Sequence, residues 1–277
     1  MVRKLSGRAT VGVFDSGVGG LTVLRALIDH VPEANYLYFG DTARLPYGSK
    51  SAATVQHYAV GAARYLQEQG AEVLVIACNT ATALALDAIE AAVDIPVIGV
   101  IEPGAEATAG ASRNRKAIVI GTEATVSSHA YRRALERREV VVHEKACPLF
   151  VPLVEEGWVN HPVTEQVAKI YLGEAFSNDR RDADVLVLGC THYPLIKPLL
   201  RRLAPERIAI VDSAESTARA VAELMKKESR TSSDELGETS PVKLKFFTTD
   251  SAEKFTRLGT RFLGLPVENV IHVDLKE

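Results

Sequence analysis

The chain reads as an α/β protein of two pseudo-symmetric halves, each a mostly parallel sheet flanked by helices. Three observations predict this. Short β-branched apolar runs alternate with stretches of helical length, and the runs are continuously apolar, as strands covered on both faces must be. Two of them end in nearly the same way, Val73-Leu-Val-Ile-Ala-Cys78-Asn-Thr and Val185-Leu-Val-Leu-Gly-Cys190-Thr-His. The spacing also repeats, since Gly99 follows Cys78 by 21 residues and Val211 follows Cys190 by 21.

Taken in order, the first strand runs from Val11 to Phe14 and gives way to Asp15-Ser16-Gly17 before a helix. Strands follow at Tyr36 to Phe39, Val73 to Ala77 and Val97 to Ile101, bounded by Gly, Pro or Asp. A second set comprises Ala117 to Ile120, Val140 to His143, Val185 to Leu188 and Ile208 to Val211. Its opening, Ala117-Ile-Val-Ile-Gly121-Thr122, matches the first strand and its polar turn, so an internal duplication is the simplest account.

The halves divide between Gly99 and Gly110. A helix from Thr217 to Lys227, a strand from Lys243 to Thr248 and a last helix ending near Leu263 follow. This tail is expected to rejoin the first half, because the second already has its strands. The expected domains are therefore 1–98 plus 212–277, and 99–211. The stretch Glu228 to Ser240, almost without apolar residues, reads as a mobile surface loop.

The 277 residues, 47% of them hydrophobic, can build a core for two such domains. A net charge of -3 and a pI near 6.2 give no electrostatic footprint for nucleic acid. The basic runs Arg113 to Lys116 and Arg132 to Arg138 read as solvated helix faces. Neither a signal-peptide segment nor a run of membrane-spanning length is present, so a cytoplasmic protein without a membrane partner is expected. Cys78, Cys147 and Cys190 are too few and too widely spaced for a disulfide framework and form no C-x-x-C pair. Nothing in the residues decides the oligomeric state, a homodimer included.

In open α/β sheets, ligands bind beyond the carboxyl ends of the strands, which is where Cys78 and Cys190 fall. Either alone would read as a small buried core residue. Two in matching contexts point to a site. A thiol is a poor base until it ionises, so each needs an activating neighbour. His192 is the candidate beside Cys190, and Asp15, at the end of the first strand, is the candidate beside Cys78. Backbone N–H groups of the helices that follow would also favour thiolates. Asp15-Ser16-Gly17 has a second reading as a helix N-cap, and His192 as a turn histidine. The segment Gly17-Val-Gly19-Gly20 fits neither a dinucleotide fingerprint nor a P-loop. No metal-ligand spacing is present, so no metal is expected. Cys147, outside the duplicated strand ends, reads as structural.

These residues lie in segments that resemble the glutamate racemases of the aspartate/glutamate racemase family over nearly the whole chain. The segments are Gly12-Val-Phe-Asp15-Ser16-Gly17-Val-Gly-Gly-Leu, Gly40-Asp-Thr-Ala-Arg-Leu-Pro46-Tyr47-Gly48, Ala77-Cys78-Asn79-Thr80-Ala81-Thr82, Cys147-Pro148-Leu-Phe-Val-Pro152-Leu-Val-Glu155 and Gly189-Cys190-Thr191-His192-Tyr193-Pro194-Leu. Pro46-Tyr47-Gly48 and Thr191-His192-Tyr193-Pro194 look like the glutamate branch rather than the aspartate branch.

The resemblance implies a cleft between the domains in which Cys78 and Cys190 flank the substrate α-carbon, without any cofactor. Cys78 would act on D-glutamate and Cys190 on L-glutamate. Asp15 would assist Cys78, and His192 with Glu155 would assist Cys190. Asp15, Ser16, Tyr47, Gly48, Asn79, Thr80, Thr191 and His192 correspond to substrate-binding positions. Thr122 and Thr125 are candidates for further hydroxyl contacts, Thr125 with a second reading as a helix cap. The implied cellular role is supply of D-glutamate for peptidoglycan. The alternatives are a racemase of aspartate or another acidic amino acid, and a non-catalytic regulator on the same fold, such as one acting on a topoisomerase.

Overall fold

A computed structural model describes residues 9–177, 180, 182–229 and 243–275. The expected polar loop lies outside the described residues from 230 onward, as does the N-terminal segment 1–8. The first half opens with β1 (Thr10–Asp15), α1 (Leu21–His30), β2 (Asn35–Gly40), α2 (Ala52–Glu68), β3 (Val73–Ile76), α3 (Asn79–Glu90) and β4 (Val97–Gly99). The second comprises α4 (Ile101–Ala111), β5 (Lys116–Gly121), α5 (Glu123–Ser127), α6 (Ala130–Glu136), β6 (Val141–Ala146), α7 (Phe150–Glu155), α8 (Pro162–Ala175), β7 (Val185–Gly189), α9 (Lys197–Leu203) and β8 (Ala209–Asp212). The chain continues through α10 (Ser213–Ser229), β9 (Leu244–Thr248), α11 (Ala252–Leu263) and β10 (Val270–His272).

Two sheets result, ordered β10-β9-β2-β1-β3-β4 and β6-β5-β7-β8. Every neighbouring pair is parallel. The order β2-β1-β3-β4 recurs as β6-β5-β7-β8, so the duplication read from the two cysteine segments extends to the whole four-strand unit. β9 and β10 add to the β2 edge of the first sheet, where β9 pairs with Tyr36 to Gly40.

The central strands β3 and β7 are buried at every position. Helices on both faces are what such strands require. α2 presents Val55, Ala59, Ala62, Ala63 and Leu66 inward at helical spacing, and Ser51 Oγ caps it by accepting from Thr54 N–H. α11 buries Phe255, Leu258, Phe262 and Leu263, and ends at Gly264, whose left-handed φ of 71° suits a residue without a Cβ. One apolar cluster joins Val11 and Val13 of β1, through α1 and α10, to Leu186 and Leu188 of β7. The two sheets thus share a core behind the strand ends, and α10 packs on α1.

Three elements depart from the sequence reading by two residues or more. The fourth strand ends at Gly99 and Ile101 already opens α4, because Val100 turns into helical geometry and its N–H meets Thr82 Oγ1 at 3.4 Å. The strand expected at Val140 to His143 is Val141–Ala146, its polar residues His143, Glu144 and Lys145 paired with β5 on one side only. An edge strand tolerates charge that a central one does not. The helix expected from Thr217 begins four residues earlier, at Ser213. Among the described residues, no helix is long and apolar enough to cross a membrane.

Candidate active site

A cavity of about 380 Å³ opens at the carboxyl ends of both sheets, lined among others by Ser16, Tyr47, Gly48, Cys78, Asn79, Thr80, Glu155, Cys190, Thr191 and His192. Of the residues singled out from the sequence, Asp15 and Thr125 do not line it; both are buried behind it.

β3 delivers Cys78 to the start of α3, where the sulfur is the helix cap: Ala81 N–H donates to Sγ at 3.5 Å, and the thiol donates to Ser16 Oγ at 3.5 Å. Burial pushes the Cys78 thiol up to about 12, and the nearby Asp15 charge adds to the rise. Cys78 is therefore a thiol at neutral pH. Asp15 is no helix cap, since α1 begins only at Leu21 without a side-chain cap. Its carboxylate accepts from Gly17 N–H at 2.9 Å and from Thr191 Oγ1 at 3.5 Å. Burial raises the Asp15 pKa, opposed chiefly by the charge of His192.

Beyond β7 the chain turns in a short 3-10 segment, Tyr193–Ile196, rather than a long helix. The neighbour of Cys190 Sγ is consequently an imidazole, with His192 Nδ1 at 4.0 Å. His192 Nε2 meets Glu155 Oε1 at 3.0 Å, and the Phe262 ring packs edge-on against the imidazole at 5.1 Å. Burial disfavours the imidazolium, but contacts with Cys190 and Glu155 outweigh it and raise the His192 pKa to about 10. Burial would likewise raise the Glu155 pKa, yet His192 and Lys254 hold it below the usual value. An imidazole braced by a carboxylate and facing a sulfur can exchange a proton with it.

The glycine turn after β1 is a contact surface between the halves. A Cβ on Gly19 would lie 2.3 Å from Thr191 Oγ1 and 2.5 Å from His192 Nδ1, and one on Gly20 would lie 2.5 Å from Asp15 Cβ. Thr22 Oγ1 donates to the Thr191 carbonyl at 3.1 Å across the same seam. On the opposite rim, a Cβ on Gly48 would meet Thr122 Cβ at 2.8 Å. Thr80, Thr122 and Thr125 form a triangle of hydroxyls separated by 3.0, 3.2 and 2.9 Å. Thr122, not Thr125, caps α5.

Several supporting residues escaped the sequence reading. Asp41, quoted only inside a motif, accepts from Tyr47 Oη at 2.5 Å, Arg44 at 2.9 Å and Thr249 at 2.8 Å, and so holds the Tyr47-Gly48 turn. Tyr131, Ser213 and Phe262 reach site residues from elements more than 50 positions away, and no local pattern marks them. Cys147 is fully buried, bonded to the Lys145 carbonyl and outside the cavity lining.

A duplicated α/β unit that sets one thiol on each half of a shared cleft, each with its own acid/base neighbour, has the form of a racemase-type isomerase. The family model for Asp/Glu/Hydantoin racemases matches residues 21–221, and the chain belongs to that family. Full-length relatives include glutamate racemases: the chain is 59% identical to one from Koribacter versatilis, over 97% of this chain and 98% of the relative. Among solved structures it is similar to glutamate racemase RacE1 from Bacillus anthracis, with a TM-score of 0.90, 37% identity and coverage of 98% and 99% of the two chains. It is also similar to the Francisella tularensis glutamate racemase in complex with D-glutamate, with a TM-score of 0.86, 34% identity and the same coverage.

Proposed function

We propose that this enzyme interconverts L- and D-glutamate by proton transfer at the α-carbon between Cys78 and Cys190, without a cofactor. The observation that carries the proposal is that both sulfurs, each at the end of the same strand of a duplicated unit, line one cavity. A planar carbanion must lose its proton on one face and regain one on the other, so two acid/base groups on opposed halves suit the reaction. The named relatives, and the D-glutamate complex of one of them, support glutamate as the substrate.

In this reading the two sulfurs have unequal partners. The Cys78 thiol donates to Ser16 Oγ, while Cys190 Sγ stands 4.0 Å from His192 Nδ1, and the other ring nitrogen of His192 meets Glu155. The Cys190 thiolate removes the α-proton of L-glutamate, and the Cys78 thiol supplies a proton to the other face; D-glutamate runs in reverse. Asp15 accepts charge shifts behind Cys78 and reaches the opposite wall through Thr191. Ser16, Tyr47, Gly48, Asn79, Thr80 and Thr191 hold the carboxylates and amine, with donors oriented before the charge develops. Segments 1–98 plus 212–277, and 99–211, close over the substrate as two bodies and exclude water. The product would serve peptidoglycan synthesis in the cytoplasm.

Circular dichroism of L-glutamate incubated with the purified protein, without pyridoxal phosphate, tests the activity, with L-aspartate as the control. The glutamate signal decays to zero and the aspartate signal persists. Replacing either Cys78 or Cys190 by Ser removes full racemisation with the fold retained. Normal turnover in both single variants would exclude the two-thiol mechanism.

A further inference from the structure

Asn79 directly follows Cys78, lines the cleft and is 2% exposed. A primary amide has one acceptor oxygen and two donor hydrogens. Here the oxygen accepts from Tyr131 Oη at 2.7 Å, and one N–H donates to Ser213 Oγ at 3.3 Å. Tyr131 lies on α6 and Ser213 at the start of α10, and both are buried. Neither belongs to the cavity lining. With these two bonds made, the amide has a single N–H left uncommitted among the described residues.

We infer that Tyr131 is a positioning residue that, with Ser213, locks the Asn79 amide so that it offers an N–H, and not its carbonyl, to a substrate carboxylate. The inference rests on the racemase reading of the cleft and adds to it a residue that never touches substrate. Without the lock, rotation of the amide by half a turn would place a carbonyl oxygen against an anion. With it, that rotation deprives a buried phenol of its acceptor, which costs about 1–3 kcal/mol. The phenol has little freedom to follow, since Tyr131 is fully buried and its ring packs closely on Gly189 and Gly104. The Tyr131 bond also runs between halves, so the residue after Cys78 is oriented in part by an element of the Cys190 side.

The test is Tyr131→Phe, which keeps the packed ring and removes one oxygen. Wild-type turnover of glutamate is measured first, and its absence would sink the racemase reading by itself. Relative to wild type, the variant is expected to raise KM for both enantiomers about tenfold, with kcat changed less than about threefold and no shift in the pH profile. Because Tyr131 acts through Asn79, Tyr131→Phe combined with Asn79→Ala has the KM of Asn79→Ala alone. A wild-type KM in Tyr131→Phe, a loss carried mainly in kcat, or effects that multiply in the double variant would each overturn the inference. Should Tyr131→Phe unfold, Ser213→Ala removes the other bond from the same amide and must show the same KM-weighted loss and the same non-additivity.

Discussion

Gly19→Ala isolates how closely the two halves must meet. The added methyl group would lie 2.3 Å from Thr191 Oγ1 and 2.5 Å from His192 Nδ1. Ordinary contact begins near 3.4 Å, so the seam must open by about 1 Å or the two side chains must move. Neither moves freely. Thr191 donates to Asp15 and its carbonyl accepts from Thr22, while His192 is held by Glu155 and Phe262. Overpacking of this kind destabilises by about 1–3 kcal/mol, and a 1 Å misplacement of reacting groups lowers turnover by about 100-fold. The backbone offers no second cause, since Gly19 is not among the glycines with positive φ. Racemisation kinetics with thermal unfolding give the readout. Gly173→Ala on α8, where an added Cβ meets nothing within 4 Å among the described residues, is the control and should stabilise by about 1 kcal/mol with full activity. Near-normal kcat/KM in Gly19→Ala would refute the close-approach argument.

Two further outcomes follow from buried polar groups. Tyr47→Phe takes one of three donors from the buried Asp41 carboxylate and is expected to lower stability by about 1–3 kcal/mol while loosening the Tyr47-Gly48 turn, seen as a raised KM together with a lower Tm. Glu155→Gln removes the carboxylate behind His192, whose folded-state pKa of about 10 lies above the ordinary 6.5 of an unfolded chain. A raised histidine pKa stabilises fully below 6.5 and loses that contribution as pH rises through about 10; the lowered Glu155 pKa contributes above its ordinary 4.5. The Tm difference between wild type and variant is therefore largest between pH 4.5 and 6.5, and it shrinks toward pH 10. A pH-independent difference would contradict this coupling.

The duplicated fold and both sulfurs were legible because they are written locally. An apolar strand followed by Cys-Asn-Thr or Cys-Thr-His shows its place in the sheet within eight residues, and parallel strands carry no ambiguity of face. Strand β6 was cut short at its far end because an edge admits Glu144 and Lys145, which the pattern of a buried strand forbids. Long-range partners left no trace. Phe262 and Tyr131 look like ordinary core residues in their own helices, and only tertiary packing brings the first to His192 and the second to Asn79. The glycine turn was legible as a turn but not as a seam, since what a Cβ would strike lies more than 170 positions away.

The unequal surroundings of the two sulfurs lead to one more expectation. Enantiomers have equal free energies in water, so kcat/KM must match in both directions for the wild type and for any variant. What Glu155→Gln can alter is which proton transfer limits the rate. With Cys190 as the base for L-glutamate, weakening the support behind His192 slows the step at Cys190. That step is the first for L-glutamate and the second for D-glutamate. Deuterium at the α-carbon of L-glutamate then sits on the bond broken in the slow step, and its isotope effect on kcat/KM rises. Deuterium in D-glutamate is removed earlier, by Cys78, and its effect falls toward unity. Isotope effects that move together, or that rise for D-glutamate instead, would refute the assignment of Cys190 to the L face even if both thiols proved essential.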